Sequence, residues 1–131
     1  MIMITAFYAS ILGFIYIKLS KNIIRLRRKY KVSLGHKNHT DLEQAIRVHA
    51  NFSEFVPIGL ILLACLEINK VHFSVVILLG GLFFVGRVLH AKSFLKDIIE
   101  TPLRVKGMQF TFWSIMLMSG MNIFSILVSF I

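Results

Sequence analysis

Four long uncharged stretches, separated by clusters of charged residues, constrain this chain more than any other feature of its sequence. They cover residues 1–17, 55–66, 71–86 and 107–131. With a mean hydropathy of +0.77 and only 16% charged residues, the 131-residue chain has too little polar surface for a soluble domain. The pattern instead predicts one all-α domain, a bundle of four membrane-spanning helices. The predicted spans run over about residues 2–28, 41–68, 71–96 and 102–130.

The fifteen Lys and Arg residues gather in two of the three connections between spans. Nine lie in residues 18–47, five in residues 87–106, and one in the turn at residues 67–72. By the positive-inside rule, the two basic connections are cytoplasmic and both termini lie on the other side. Because these charges sit at the ends of apolar spans, the net charge of +9 indicates anionic lipid headgroups as partners, and no nucleic acid. The short connections favour a bacterial inner membrane.

Spans two and three each have a polar half, and both polar halves are expected at the same depth. Residues 55–66 extend only about 18 Å as a helix, short of the ~30 Å hydrocarbon core, so residues before them must also lie in the membrane. Measured along each helix from the turn that joins the two spans, Asn51 and Arg87 each lie roughly 24 Å from that turn. Arg47 and His90 lie roughly 30 Å down. The two polar halves therefore share one leaflet.

The polar residues of each span also lie on one helical face. The two stripes are formed by Arg47, Asn51 and Glu54, and by Arg87, His90 and Phe94. Each intramembrane charge costs on the order of 2.5 to 3.5 kcal/mol, which an ion pair between Glu54 and an Arg would partly offset. Arg25 and Arg104 add positive charge at the same level. The surplus of cations over one acid predicts a pocket for an anionic ligand.

Three motifs in these polar segments together resemble one known family. They are RVHANFSEFVP in span two, VGRVLH in span three and PLR at the start of span four. In this combination they resemble the membrane-associated proteins in eicosanoid and glutathione metabolism (MAPEG), and the resemblance covers nearly the whole chain. It implies a homotrimer that binds glutathione between subunits, near the cytoplasmic side, with a hydrophobic small molecule or lipid as the second substrate.

The resemblance also implies roles for individual residues. Arg104 matches the Arg that activates the glutathione thiol by favouring its charged form. The positions that match glutathione contacts, or structural Arg residues beside them, are Arg25, Asn51, Glu54, His90, Arg47 and Arg87. A groove beside Arg104 that suits an apolar electrophile would be lined by Phe94, Met108 and Phe112.

Phe94 and Met108 stand where several family members carry a Tyr, so two hydroxyl groups are missing. The resemblance implies a glutathione transferase or peroxidase that acts on hydrophobic electrophiles or lipid hydroperoxides. It leaves open a non-catalytic, lipid-binding scaffold, which the family also includes. A small transporter is less favoured, because the outer halves of spans two and three lack matching polar residues. His36 and His39 lack neighbouring ligands apart from Asp41, and we expect no metal site.

Overall fold

The described residues of the chain fold into four α-helices, which confirms the predicted all-α architecture. The computed structural model describes residues 1–93 and 101–130. The helices are α1 (Met3–Tyr30), α2 (Thr40–Ile68), α3 (Phe73–Lys92) and α4 (Thr101–Ser129). Each is long and apolar enough to cross a membrane. Helix α3 begins at Phe73, where residue 71 was predicted, and the predicted end of that span at residue 96 lies outside the described residues.

Helices α2 and α3 are the centre of the bundle, since each of them contacts the other three helices. A continuous apolar core joins the helices, with Leu12 and Leu19 from α1, Phe52 and Leu63 from α2, Phe83 from α3 and Met118 from α4. Outside this core, many large apolar side chains remain exposed on all four helices. An apolar surface of this extent is stable against lipid hydrocarbon and unstable in water, so the outer faces of the bundle fit a bilayer.

A carboxylate from α2 accepts hydrogen bonds from the backbone N–H groups in the first turn of α1. The backbone N–H groups of Ile4 and Thr5 each donate to a carboxylate oxygen of Glu67 at 2.9 Å, and the Thr5 hydroxyl donates to it at 2.9 Å. Backbone groups at a helix N-terminus have no partner within their own helix, and the helix dipole favours a negative charge there. Glu67 therefore ties the start of α1 to the last turn of α2.

The connection between α1 and α2 is held by side-chain contacts at the opposite end of α1. Tyr30 stacks on His39 with ring centroids 3.9 Å apart, and its hydroxyl donates to Asp41 at 2.6 Å. The motif Thr40 to Glu43 reads as a capping box with Thr40 as the N-cap. That interpretation is wrong, because His39 is the N-cap and makes no side-chain capping bond. Tyr30 instead holds His39 and Asp41 at the start of α2.

Helices α3 and α4 touch backbone to backbone at a pair of glycines. A Cβ atom at Gly107 would lie 2.6 Å from the His90 amide nitrogen and 2.9 Å from the Gly86 carbonyl oxygen. A Cβ atom at Gly86 would lie 2.9 Å from the Thr111 amide nitrogen. Small residues allow this kind of close approach between membrane helices. The contact brings the last turns of α3 against the first turns of α4, where the polar side chains lie.

Gly107→Ala is expected to lower the free energy of unfolding by about 2 kcal/mol, because the added methyl group meets backbone atoms that have no room to move. Gly120 of α4 is the matched control, since a Cβ atom there has nothing within 4 Å. Gly120→Ala should be neutral or slightly stabilising, because Ala favours the helix. Unfolding by denaturing detergent measures both variants, and equal stability of the two would contradict the close contact.

Candidate functional site

The buried guanidinium of Arg87 lies at the centre of the polar half of the bundle. Arg87 is 1% exposed, and its Nε donates to the Thr111 hydroxyl at 2.9 Å. Its two terminal nitrogens donate to Oδ1 of Asn51 at 2.8 Å and to the sulfur of Met108 at 3.1 Å. One side chain from α3 is thereby bonded to α2 and α4. The contact with Asn51 joins the polar stripes of spans two and three.

The glycine contact between α3 and α4 sets the position of this guanidinium. Arg87 follows Gly86 directly, and Thr111 lies one helical turn after Gly107 on α4. The Thr111 hydroxyl donates to the Gly107 carbonyl at 2.9 Å, so its oxygen lone pairs stay available to accept from Arg87. Thr111 is fully buried. The close helix packing and the polar contact therefore depend on the same four residues.

One aromatic ring lies against the Arg87 guanidinium, and a second ring packs against the first. The guanidinium carbon of Arg87 is 5.1 Å from the centre of the Phe55 ring, a distance typical of a cation–π contact. The Phe55 ring is in turn 5.8 Å from the Phe112 ring. Two of the three predicted groove residues, Met108 and Phe112, thus lie beside this cluster, whereas Phe94 is outside the described residues. The arrangement places an apolar surface next to a buried positive charge.

Two charged residues of α2 lie outside this cluster. Arg47 and Glu54 are both exposed, and Glu54 is only three residues beyond Asn51. An ion pair between Glu54 and an Arg was expected, but the ion pairs within residues 1–93 and 101–130 join Lys29 to Asp41 and His36 to Glu43. Neither of these ion pairs includes Glu54, so the expected pairing is not formed in this part of the chain, although Asn51 on the same stripe contacts Arg87. Glu54 presents its carboxylate at the surface of α2.

His90 and Arg104 belong to the two helices that meet at the glycine contact, His90 to α3 and Arg104 to α4. Arg104 is exposed on the first turn of α4, four residues before Met108 and so on the same helical face. His90 is 7% exposed, one turn beyond Arg87, with its backbone packed against Gly107. The predicted activating residue is therefore accessible, whereas His90 is enclosed within the bundle. Arg104, Met108 and Phe112 form one continuous face of α4.

Arg25 does not join the other predicted residues within one chain. Its guanidinium donates to Oδ1 of Asn22 at 2.8 Å, and it lines a cavity between α1 and α3. Within the described part of one chain, the hydrogen-bond partners of Arg87 are Thr111, Asn51 and Met108, and Arg25 is not part of this cluster. His49, another polar residue of α2, faces α1, where its ring is 2.9 Å from the Ser20 hydroxyl.

Sequence reasoning missed Thr111 and Phe55, the two further contacts of the buried guanidinium. The sequence contains a signal for Thr111, because the small residues Gly107, Thr111 and Ser114 are spaced so that they share one face of α4. In the structure all three are buried. A stripe of this kind marks the side of a membrane helix that packs closely against another helix. Phe55 carries no such signal, because it is one of twelve Phe residues in an apolar chain.

Comparison with known proteins identifies a family and two relatives. The model of the MAPEG family matches residues 5–124. Two relatives, each called Inner membrane protein YecN, come from Escherichia coli strain K12 and from Escherichia coli O6:H1 strain CFT073. Each is 31% identical over 121 residues, which cover 92% of this chain and 91% of the relative.

Proposed function

The chain belongs to the MAPEG family, and from this membership we propose that it is a membrane-embedded protein that binds glutathione. The observation that carries the proposal is the Arg87 cluster, a buried cation whose described partners are neutral. A buried charge is normally compensated by an opposite charge. An anionic ligand held next to this cluster would supply part of that compensation.

The residues around the cluster fit the charges of glutathione, which carries two carboxylates and one ammonium group. Guanidinium groups bind carboxylates through paired hydrogen bonds, and the exposed Arg47 and Arg104 are accessible for such contacts. The exposed carboxylate of Glu54 suits the ammonium group. Asn51, held by Arg87, has its amide N–H₂ left to donate to a peptide carbonyl. His90 is buried between the helices, so it would contact a ligand only where that ligand reaches into the bundle.

We further propose that Arg104 performs the activating step of a transferase or peroxidase. Bound glutathione would supply a thiol, whose ionised form is the nucleophile. The Arg104 guanidinium favours that ionised form by placing a positive charge beside it. The adjacent apolar face of Met108 and Phe112, in contact with Phe55, would hold a hydrophobic electrophile or a lipid hydroperoxide and exclude water from the reaction.

The exposed face of α2 supports assembly into a homotrimer. Arg47, Glu54, Ile58 and Ile61 recur at spacings of seven, four and three residues, and all four are exposed. A charged side chain that faced lipid at this depth would be unfavourable by on the order of 2.5 to 3.5 kcal/mol. A second copy of the chain would cover this stripe. It would also bring its own Arg25 to a site that lacks that residue within one chain.

The relatives support a bacterial inner membrane, and the charge distribution supports an orientation with both termini away from the cytoplasm. The relatives from Escherichia coli carry an inner-membrane name, and we propose a bacterial inner membrane for this chain. The basic ends of α1 and α3 would face the cytoplasm, which places both termini on the opposite side. The proposed glutathione site then opens toward the cytoplasmic leaflet.

A lipid-binding scaffold without catalysis is the second candidate, and the observation that favours it is Met108. Its sulfur accepts a hydrogen bond from Arg87, at a position where the resemblance implies a Tyr hydroxyl. A thioether is a weak acceptor and cannot donate a proton. A scaffold would bind glutathione or a lipid at this site without forming a thiolate.

Glu54→Gln is expected to weaken glutathione binding about tenfold, because the variant loses a charge-assisted hydrogen bond to the ammonium group. Glu43→Gln is the matched control, since Glu43 is also an exposed acid of α2 but lies at the helix start. Calorimetric titration of the purified protein with glutathione measures both variants. Equal affinities in the wild type and Glu54→Gln would remove Glu54 from the site, and no binding by the wild-type protein would refute the proposed function.

A further inference from the structure

A cavity of about 510 Å³ lies between α1 and α3, apart from the Arg87 cluster. Its apolar wall includes Ile15 and Leu19 from α1 and Val88 and Ala91 from α3. A volume of this size lies within the range of ligand-binding pockets, about 300 to 1,000 Å³. Leu19 and Ala91 are almost fully buried, so the floor of the cavity is part of the protein core.

The cavity lies in only one half of the bilayer, because α1 and α3 are in contact in the other half. There, the Tyr8 hydroxyl donates to the Ile77 carbonyl at 2.9 Å. The Tyr8 ring also packs against Gly80, where a Cβ atom would lie 2.4 Å from it. The two helices are thus joined near the start of α1, and the cavity opens toward their basic ends.

Four cations lie on the rim of this apolar cavity. Lys18, Lys21 and Arg25 follow one another along α1, and Lys92 is the last residue of α3. All four are exposed, and no acidic residue is among those that line the cavity within the described part of the chain. Long Lys side chains bury their methylene groups and extend the ammonium toward the membrane surface. The cavity thus has an apolar interior and a positively charged edge.

We propose that this cavity is a binding site for an anionic diacyl phospholipid. The apolar wall would hold acyl chains, and the three Lys residues would bind the phosphate of the headgroup. Charge complementarity favours this ligand. The basic rim matches a negatively charged headgroup, and the apolar wall matches the uncharged acyl chains. The cavity shares Arg25 with the residues that match glutathione contacts, and its other residues lie outside the proposed glutathione site, so lipid binding does not depend on whether the protein is an enzyme.

The proposal is tested by lipid retention in native mass spectrometry. Detergent-purified protein is titrated with dioleoyl phosphatidylglycerol or dioleoyl phosphatidylcholine, which share their chains and differ in headgroup charge. The test variant is Lys18→Gln/Lys21→Gln/Lys92→Gln, which leaves Arg25 in place. The control variant, Lys29→Gln/Lys31→Gln/Lys37→Gln, removes the same charge from exposed positions outside the cavity, in the basic connection that also holds Lys18 and Lys21.

The wild-type protein should prefer the anionic lipid at least about tenfold, and the test variant should lose on the order of 100-fold in affinity for it. The control variant should lose less than about threefold. A second variant, Val88→Phe, should weaken retention of both lipids by filling the apolar interior. Equal affinity for the two lipids, or equal losses in the test and control variants, would overturn the proposal. A changed subunit number with unchanged lipid retention would show that a second copy fills the cavity, and would also overturn it.

Discussion

Replacing Arg104 by Ala is expected to remove most of the thiolate signal of bound glutathione near neutral pH. A cysteine thiol in water is only a few per cent ionised at pH 7. A positive charge within about 4 to 6 Å multiplies the ionised fraction by about 10 to 1,000, until ionisation is nearly complete. Arg104 is exposed at the start of α4, next to the apolar face of Met108 and Phe112, where it is accessible to a ligand. Ultraviolet difference spectroscopy during a glutathione titration measures the effect.

Two variants on the same helix make this result specific. Arg104→Lys keeps the charge without the planar guanidinium, and it should retain part of the signal. Lys106→Ala removes an exposed charge two residues further along α4, and it should leave the signal unchanged. An undiminished thiolate signal in Arg104→Ala would assign activation to another cation. Binding by the wild-type protein without any thiolate signal would favour the scaffold.

The depth of the polar residues was predictable from the sequence. Asn51 and Arg87 were placed at the same level by counting helix rise from the turn between α2 and α3, and a 2.8 Å hydrogen bond joins them. The count succeeds because the rise per residue of an α-helix is constant and the connecting turn is short. In a membrane, the fixed thickness of the hydrocarbon core adds a second reference level.

The sequence did not predict which neighbouring helix each polar stripe would face. Helical periodicity groups residues on one face of their own helix, but it does not identify the helix that lies opposite. Glu54 was therefore expected to pair with an Arg, although its face of α2 is exposed. The roles of Thr111 and Glu67 were missed for the same reason. The Glu67 carboxylate binds backbone groups more than 60 residues away, and backbone groups leave no mark in a sequence.

The bundle is expected to depend on Arg87 more than on any other charged side chain of the described helices. Arg87→Ala should lower the free energy of unfolding by about 3 kcal/mol. Truncating a large, fully buried side chain to Ala costs about 4 kcal/mol in lost packing. The Asn51 carbonyl left without its donor adds about 2 kcal/mol, and removing a charge from the membrane returns about 3 kcal/mol. The net effect is destabilising because Arg87 fills space between three helices as well as carrying charge.

Arg87→Met separates those contributions, because Met restores much of the apolar volume without the charge or the donors. Its stability should lie near that of the wild-type protein, since relief of the buried charge offsets the unpaired Asn51 carbonyl. Arg28→Ala, an exposed Arg of α1, is the control and should change stability by less than about 0.5 kcal/mol. Detergent unfolding curves measure all three variants. Loss of stability in Arg87→Met as large as in Arg87→Ala would show that the hydrogen bonds, and not packing, hold the three helices together.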